Sequence, residues 1–194
     1  FDGRRHVSIA ALPGMAERTV TGFAFTKSFA MDGWRLGYLV APQWAMPGLL
    51  KITANEVTHV NTFIQHGGIA AVEGPPEVLT GLVADDAAKR DVVVRRLNQM
   101  PGVRCALPEG AIYAFPDISA FGISSQEMAE RILDEAGVVV EAGSFYGRAG
   151  EGHLRICFGS ESLERVDIGM DRLQRFFNDL WQASPRSARA DADG

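Results

Sequence analysis

Two basic residues near the start of the chain, Lys27 and Arg35, have types and a spacing suited to holding a phosphorylated cofactor. A lysine amine forms an imine with an aldehyde and, once released, moves protons between carbon atoms. A guanidinium matches the oxygens of a phosphate better than an ammonium does. The apolar residues around Lys27, among them Phe25, Phe29 and Met31, predict surroundings that exclude water and disfavour the charged ammonium.

A third basic residue, Arg155, lies in a strand-like segment at residues 150–158. In a strand, its side chain alternates with those of Leu154 and Ile156 and shares a face with Cys157. A guanidinium there can bind a substrate carboxylate through two hydrogen bonds and fix its orientation. Taken singly, Lys27 and Arg155 are more simply explained as solvated surface side chains, and Arg35 fits a surface position and a binding role equally well, so the sequence context is what favours the functional interpretation.

That context resembles one enzyme family. Residues 26–37, with the sequence TKSFAMDGWRLG, resemble the lysine-containing segment of the class I and II aminotransferases, which are pyridoxal-phosphate enzymes of fold-type I. Residues 150–158, GEGHLRICF, resemble the segment whose arginine binds the substrate α-carboxylate. The resemblance implies pyridoxal 5'-phosphate as the cofactor, held by Lys27 through an internal aldimine and by Arg35 at the phosphate. It also implies that Arg155 binds the substrate carboxylate, and Thr26 is a candidate for a further phosphate contact.

The resemblance extends over about residues 1–180 and includes three departures. Ala24 stands three residues before the lysine, where the family often has a small hydroxyl residue that contacts the phosphate. Ala142 replaces a proline in a family loop, and Ile112 stands where an aromatic residue is common. The family residues that pair with the pyridine nitrogen and stack on the ring normally precede the position of Phe1. We therefore expect the chain to be the C-terminal portion of such an enzyme, with about half an active site and weak cofactor binding alone.

The elements that must position Lys27 and Arg35 are predicted from hydrophobic patterns. Residues 18–25 and 34–40 are predicted as strands, and Arg35 then shares a strand face with Gly37. Glycines at 33 and 37 are expected to leave room for an anion beside the guanidinium. A helical stretch is predicted to begin at Pro47 and run to about residue 73. A second, long helix is predicted from residue 75 to about residue 100.

The remainder of the sequence predicts short strands followed by helices. Strands are predicted at residues 103–107, 111–115, 138–141 and 154–158. Ser124 and Glu127 form a predicted capping box for a helix that ends at Gly137, and an amphipathic helix is predicted from near Ser160. The fold class is therefore α/β: the end of a large-domain sheet, at residues 1–90, and a smaller α+β C-terminal domain, at residues 91–181. Residues 182–194 are predicted to be a disordered tail.

Composition excludes several other functions. The net charge of -5 and the pI near 5.4 argue against nucleic acids and anionic membranes as partners. The two cysteines, Cys105 and Cys157, are far apart and are predicted to be reduced core thiols. His59 and His66 are too far apart on a helix to bind one metal ion, so no metal site is predicted.

The predicted function is pyridoxal-phosphate-dependent transfer of an amino group between an amino acid and a 2-oxo acid. By resemblance, the full-length enzyme is expected to be a cytoplasmic homodimer. Two alternatives stay open. One is a lyase or decarboxylase on the same scaffold, because the same cofactor serves those reactions. The other is a non-catalytic aminotransferase-like domain that binds an effector in a transcription regulator.

Overall fold

The structure is a computed structural model that describes residues 1–183 of the 194. The chain divides into two compact units. The N-terminal unit comprises Gly3–Val83, and the C-terminal unit comprises residues from Ala84 onward together with Phe1–Asp2. This division falls inside a long helix, before the predicted domain boundary at residue 90. The predicted tail lies, except for its first two residues, outside the described residues.

The N-terminal unit contains an antiparallel pair of strands whose connection carries Lys27 and Arg35. Strand β1 (Thr21–Ala24) pairs with β2 (Gly37–Val40), with Ala24 opposite Gly37. The connection contains the single-turn helix α1 (Phe25–Ser28) and a 3-10 turn at Asp32–Trp34. The predicted strand over residues 34–40 is therefore wrong in its first half, because the chain enters β2 only at residue 37.

Three helices follow the hairpin. Helix α2 spans Met46–Glu56, α3 spans Thr62–Glu73 and α4 spans Pro76–Leu97. The predicted single helical stretch from residue 47 to 73 is thus two helices. Between them Thr58 adopts a left-handed backbone (φ 61°), and the Asn61 side chain caps α3 by accepting a hydrogen bond from the Phe63 N–H (3.3 Å). The long helix α4 is confirmed.

The core of the N-terminal unit is small. Phe25, Met31 and Leu36 are its buried residues, and partly buried apolar residues pack around them: Phe29, Val60, Ile64 and Ala71. All three buried residues lie in or beside the connection that carries Lys27. The buried core of this unit is therefore formed by this connection, with Ile64 and Ala71 of α3 packed against it.

The C-terminal unit is built on a three-stranded antiparallel sheet. Its strand order is β3 (Tyr113–Ala114), β5 (Leu154–Cys157), β4 (Glu141–Ala142). The predicted strands over 111–115 and 138–141 are shorter than expected, and the one over 103–107 is reduced to a bridge between Arg104 and Asp117. The strand predicted at 154–158 is confirmed.

Helices cover one face of this sheet and supply most of its core. Helix α5 (Ser125–Arg131) continues as a π-helical turn (Ile132–Ala136) and ends at Gly137, as the sequence predicts. The Ser124 hydroxyl caps α5 by accepting a hydrogen bond from the Glu127 N–H (3.2 Å). Helix α6 (Leu163–Gln182) buries one face, as its apolar spacing predicts. The fully buried residues of this core include Leu97, Ile118, Met128, Ile132, Leu154 and Leu173.

Cys105 and Cys157 are both free thiols, and burial raises the pKa of Cys105.

Within residues 1–183, no helix is both long enough and apolar enough to cross a bilayer.

Short 3-10 turns also occur in both units. They lie at Ile9–Ala11, Ala16–Arg18, Ser119–Phe121, Gly143–Tyr146 and Arg148–Gly150.

Candidate active site

Lys27 is the third residue of the single-turn helix α1, and its side chain is exposed. The same turn directs Phe25 into the core, where only 6% of it is exposed. The Phe25 N–H donates to the Leu36 carbonyl (3.2 Å), and the Phe29 N–H donates to the Phe25 carbonyl (3.1 Å). The expectation that apolar neighbours enclose Lys27 is therefore wrong for this unit, because those neighbours turn inward and leave the amine accessible.

Arg35 lies on the same connection in a strained backbone conformation. Its φ of 52° and ψ of 45° place it in the left-handed region, which non-glycine residues rarely adopt. Its Nη1 donates to the Asp32 carbonyl (3.0 Å), and the side chain is otherwise exposed. Arg35 therefore caps the 3-10 turn rather than alternating along a strand, which corrects the sequence prediction.

The two glycines near Arg35 have different roles. A Cβ at Gly37 would lie 2.6 Å from the Phe23 carbonyl oxygen, so the close approach of β1 to β2 requires glycine there. A Cβ at Gly33 would meet nothing within 4 Å. Only Gly33 therefore leaves the open space that the sequence predicts at both positions.

Thr26 is half-buried and directly precedes Lys27.

Two residues of α3 that the sequence did not indicate hold this connection in place. A Cβ at Gly67 would lie 2.2 Å from the Trp34 ring, and a Cβ at Gly68 would lie 2.5 Å from the Leu36 side chain. Trp34 and Leu36 therefore pack directly on the helix backbone, on either side of Arg35 in the sequence. This packing fixes the segment whose strained residue is Arg35. Consecutive glycines inside a helical pattern were the available signal, because such glycines often mark a close approach.

A cavity of about 490 Å³ lies beside this connection, and neither Lys27 nor Arg35 lines it. Its walls include Phe25, Leu36, Tyr38, Val60 and Val72. The cavity is mostly apolar and belongs to the hairpin and α3. None of its lining residues is cationic, so the cavity offers no positive charge to a phosphate.

Arg155 occupies the second position of β5 and is held by aromatic and acidic residues. As predicted, Leu154 and Ile156 are buried while Arg155 and Cys157 share the other face. The guanidinium carbon lies 4.5 Å from the centre of the Tyr113 ring and 4.9 Å from that of Tyr146. Both distances are within the range of a cation–π contact. The two tyrosines therefore limit how the guanidinium can turn.

Glu141 lies opposite Arg155 in the β4–β5 pair, and its carboxylate accepts a hydrogen bond from Arg155 Nη2. The Tyr146 hydroxyl donates to the other oxygen of the same carboxylate. This hydrogen bond raises the pKa of the Tyr146 phenol. Among residues 1–183, the buried Arg155 Nε has no hydrogen-bond partner. The sequence does not indicate Glu141, Tyr113 and Tyr146 as site residues, because they meet Arg155 only through strand pairing and loop geometry.

The loop that carries Tyr146 is fixed to α5 through a buried serine. The Ser125 hydroxyl donates to Glu151 (2.9 Å) and accepts from the Ser144 N–H (3.2 Å). The Ser125 backbone N–H also donates to Glu151 (2.7 Å). These hydrogen bonds hold the pKa of Glu151 below its usual range. The position of Tyr146 beside Arg155 is therefore determined by the fold and not only by local turn preferences.

The described part of the chain contains no candidate metal site. Within residues 1–183, no three His, Cys, Asp or Glu side chains come together in a way that could hold an ion. The charged groups gathered at the candidate sites are instead two arginines, one lysine and one glutamate. The arginines and the lysine among them bind anions and carbonyl compounds rather than cations.

Comparison with known proteins identifies the family. The model of the family Aminotransferase class I and II matches residues 6–173. Aromatic-amino-acid aminotransferase 2 of Thermococcus litoralis is 40% identical over 177 residues, which are 90% of this chain and 45% of that protein. The aspartate aminotransferase of Pyrococcus abyssi is 39% identical over the same length, again with 90% and 45% coverage. The chain thus spans about half the length of these relatives.

A solved structure supports the same relationship. The crystal structure of an aromatic aminotransferase from Pyrococcus horikoshii OT3 matches with a TM-score of 0.87 at 38% identity. The match covers 92% of this chain and 48% of that one. The fold is that of the fold-type I aminotransferases, a mixed α/β architecture. Because the family model matches most of its length, the chain belongs to the class I and II aminotransferases.

Proposed function

We propose that the protein transfers an amino group between an amino acid and a 2-oxo acid, with pyridoxal 5'-phosphate as its cofactor. The observation that carries the proposal is the placement of Lys27 and Arg35. Both lie on one hairpin connection, both side chains are exposed, and the backbone of Arg35 is strained. Strain at a position with an accessible charged group is typical of ligand-binding segments. The family membership of the chain supports the same assignment.

The residues on this connection fit the cofactor chemically. An exposed amine at Lys27 can reach an aldehyde, and an exposed guanidinium at Arg35 can pair with a phosphate. One Arg35 nitrogen is used by the Asp32 carbonyl, so the other donors are available to an anion. The open space at Gly33 and the hydroxyl of Thr26 support the same binding mode. When bound, pyridoxal phosphate supplies an electron sink for bond cleavage at the substrate α-carbon.

Lys27 has two roles in this proposal. Its Nζ would hold the cofactor at the aldehyde carbon, because an amine combines with an aldehyde with loss of one water molecule. When the substrate amine takes its place, Lys27 is released with a free amine. In that state its Nζ would take a proton from the substrate α-carbon and deliver it to the cofactor carbon that carried the aldehyde.

Arg155 binds the substrate carboxylate in this proposal. The contacts of its guanidinium with the Tyr113 and Tyr146 rings support the role, because they limit the orientations in which the donors are presented. Every amino acid and every 2-oxo acid has this carboxylate. By family resemblance, the intact protein is proposed to be a cytoplasmic homodimer. The named relatives differ in substrate, so the side chain of the preferred amino acid is left open.

Product analysis tests the proposed reaction. The intact protein is incubated with pyridoxal phosphate, pyruvate and a mixture of amino acids, and the products are separated. We expect alanine to appear together with the 2-oxo acid of the donor, in equal amounts. Release of carbon dioxide or of an elimination product, without alanine, would instead indicate a decarboxylase or a lyase.

Variants test whether the reaction depends on Lys27. K27A is expected to lower the rate of alanine formation by at least about 10³-fold, because the imine former and the proton carrier are both lost. K51R is the matched control, since Lys51 is exposed on α2 and has no proposed role. Equal activity of K27A and K51R would contradict the role of Lys27.

A further inference from the structure

Arg155 already binds a carboxylate that belongs to the protein itself. Glu141 stands directly across the β4–β5 pair and accepts a hydrogen bond from Arg155 Nη2. The Glu141 side chain is 42% exposed and that of Arg155 is 25% exposed. The pair is therefore neither sealed in the core nor fully solvated, and a small anion can approach it.

The geometry leaves little freedom for a second carboxylate to avoid Glu141. The rings of Tyr113 and Tyr146 both contact the guanidinium and limit its movement, and Nε is buried. A planar guanidinium offers two edges for a bidentate carboxylate, and Nη2 contributes one hydrogen to each of them. An incoming carboxylate on either edge therefore lies beside the Glu141 carboxylate. Two like charges that share one guanidinium repel each other.

Tyr146 gives Glu141 a second partner. Its hydroxyl donates to the carboxylate oxygen that does not face Arg155. Glu141 can therefore give up its contact with Arg155 without losing all its hydrogen bonds. Glu141 and Arg155 also line one side of a cavity of about 480 Å³ in the C-terminal unit, whose other walls include Val139 and Ile168. This cavity gives a displaced carboxylate side chain room to move.

We propose that Glu141 is an internal competitor for Arg155, which a substrate carboxylate must displace before it can bind. This inference rests on the proposed function, in which Arg155 binds that carboxylate. Glu141 then sets the affinity of the site for carboxylates and keeps the guanidinium paired when no substrate is present. It acts through Arg155 and does not itself contact the reacting atoms.

Carboxylate binding tests the proposal independently of catalysis. Pyruvate is the probe, because it has one carboxylate and no amine to exchange with the aldehyde form of the cofactor. Its dissociation constant is measured by titration calorimetry on the intact protein loaded with pyridoxal phosphate. We expect E141Q to bind pyruvate about threefold to tenfold more tightly than the wild type, in line with the strength of a partly exposed ion pair.

Salt provides a readout that a merely structural role would not change. Added salt screens the repulsion between two partly exposed carboxylates. The difference in dissociation constant between wild type and E141Q is therefore expected to shrink as sodium chloride is raised. Aspartate at position 141 keeps the charge on a shorter side chain, so E141D is expected to bind with an affinity between the other two.

The control is E135Q, which removes the same charge and breaks an exposed ion pair with Arg131 in the same unit. E135Q is expected to bind pyruvate like the wild type. Unchanged or weaker binding by E141Q, with folding verified by circular dichroism, would overturn the proposal.

R155K and R155Q separate this outcome from failure of the proposed function. If both bind pyruvate like the wild type, Arg155 is not the carboxylate site, and the proposed function loses that residue. If both variants lose pyruvate binding while E141Q binds pyruvate no more tightly than the wild type, Arg155 keeps its role as the carboxylate site. Only the competition between Glu141 and the substrate carboxylate is then refuted.

Discussion

At the scale of single residues, the backbone that follows the Lys27 turn is strained at two positions. Ala30 (φ 51°) and Arg35 (φ 52°) both adopt the left-handed conformation, which costs about 1–3 kcal/mol at a non-glycine residue. Such a cost persists only where the surrounding packing enforces it. We interpret the strain as the means by which the connection presents Lys27 and Arg35 toward solvent rather than into the sheet.

Replacement of Arg35 by glycine separates the effect of backbone strain on stability from the effect of the guanidinium on cofactor binding. R35G relieves the strained backbone by about 1 kcal/mol but loses the hydrogen bond to the Asp32 carbonyl, so the free energy of unfolding should change little. Cofactor binding should weaken by at least about tenfold, because hydrogen bonds to charged groups contribute about 1.5–3 kcal/mol. Chemical denaturation and fluorescence titration with pyridoxal phosphate measure the two effects.

Thr58 supplies the control for this variant. It has the same left-handed backbone (φ 61°) in the same unit and is a β-branched residue, for which the conformation is especially unfavourable. T58G is expected to raise the free energy of unfolding by about 1 kcal/mol and to leave cofactor affinity unchanged. An equal loss of cofactor affinity in T58G and R35G would show that glycine itself, and not the missing guanidinium, is responsible.

Tyr146 reports on the ion pair at Arg155. The hydrogen bond to Glu141 raises its pKa, because ionisation would place a phenolate beside a carboxylate. The folded state holds this proton more tightly than the unfolded chain, so the contact stabilises the fold at neutral pH. That stabilisation is lost as the pH rises through the Tyr146 pKa in the folded state.

E141Q should therefore lower the Tyr146 pKa toward its ordinary value. Ultraviolet difference titration of the tyrosines measures the change, with Y146F identifying which transition belongs to Tyr146. E135Q should leave that transition where it is. A Tyr146 transition at the same pH in wild type and E141Q would contradict the hydrogen bond.

At the scale of elements, α3 determines the position of the lysine-bearing connection. Trp34 and Leu36 lie on Gly67 and Gly68, and the carbonyl of Leu36 accepts from the N–H of Phe25. These contacts hold both ends of the segment that contains Lys27 and Arg35. The sequence gives α3 a helical pattern, but the function of its glycine pair is evident only when the connection packs on it.

A methyl group at Gly67 should disturb this packing. G67A places a Cβ within 2.2 Å of the Trp34 ring, so the ring or the helix must move. We expect a loss of about 1–3 kcal/mol in the free energy of unfolding, as is typical of overpacking, and weaker binding of pyridoxal phosphate. G81A is the control, because a Cβ at Gly81 in α4 meets nothing within 4 Å. It should instead stabilise the helix by about 0.5–1 kcal/mol, and destabilisation equal to that of G67A would contradict the account.

Elements with a long, regular pattern were predictable from the sequence. The apolar spacing of α6 and the alternation of β5 both correspond to the structure, since each follows from the burial of one face. The conformation of Arg35 was not predictable, because residues 33–37 have the alternation of a strand and only packing on α3 overrides it. Glu141 and Tyr113 were missed because two-residue strands leave no local signal of their register.

At the scale of the whole molecule, the proposed residues are divided between two units with separate cores. Lys27 and Arg35 belong to the N-terminal unit, and Arg155 belongs to the C-terminal unit. Helix α4 runs from one unit into the other. The family match at residues 6–173 spans both units.

The central claim is that Lys27 forms the covalent bond to pyridoxal phosphate. These 194 residues contain three lysines, so within them peptide mass mapping of the intact, cofactor-loaded protein after borohydride reduction has few possible results. Lys51 is exposed on α2, and Lys89 is buried and paired with Asp85. We predict a phosphopyridoxyl group on Lys27 and none on the other two lysines. A phosphopyridoxyl group on Lys51 or Lys89, with Lys27 unmodified, would contradict the account.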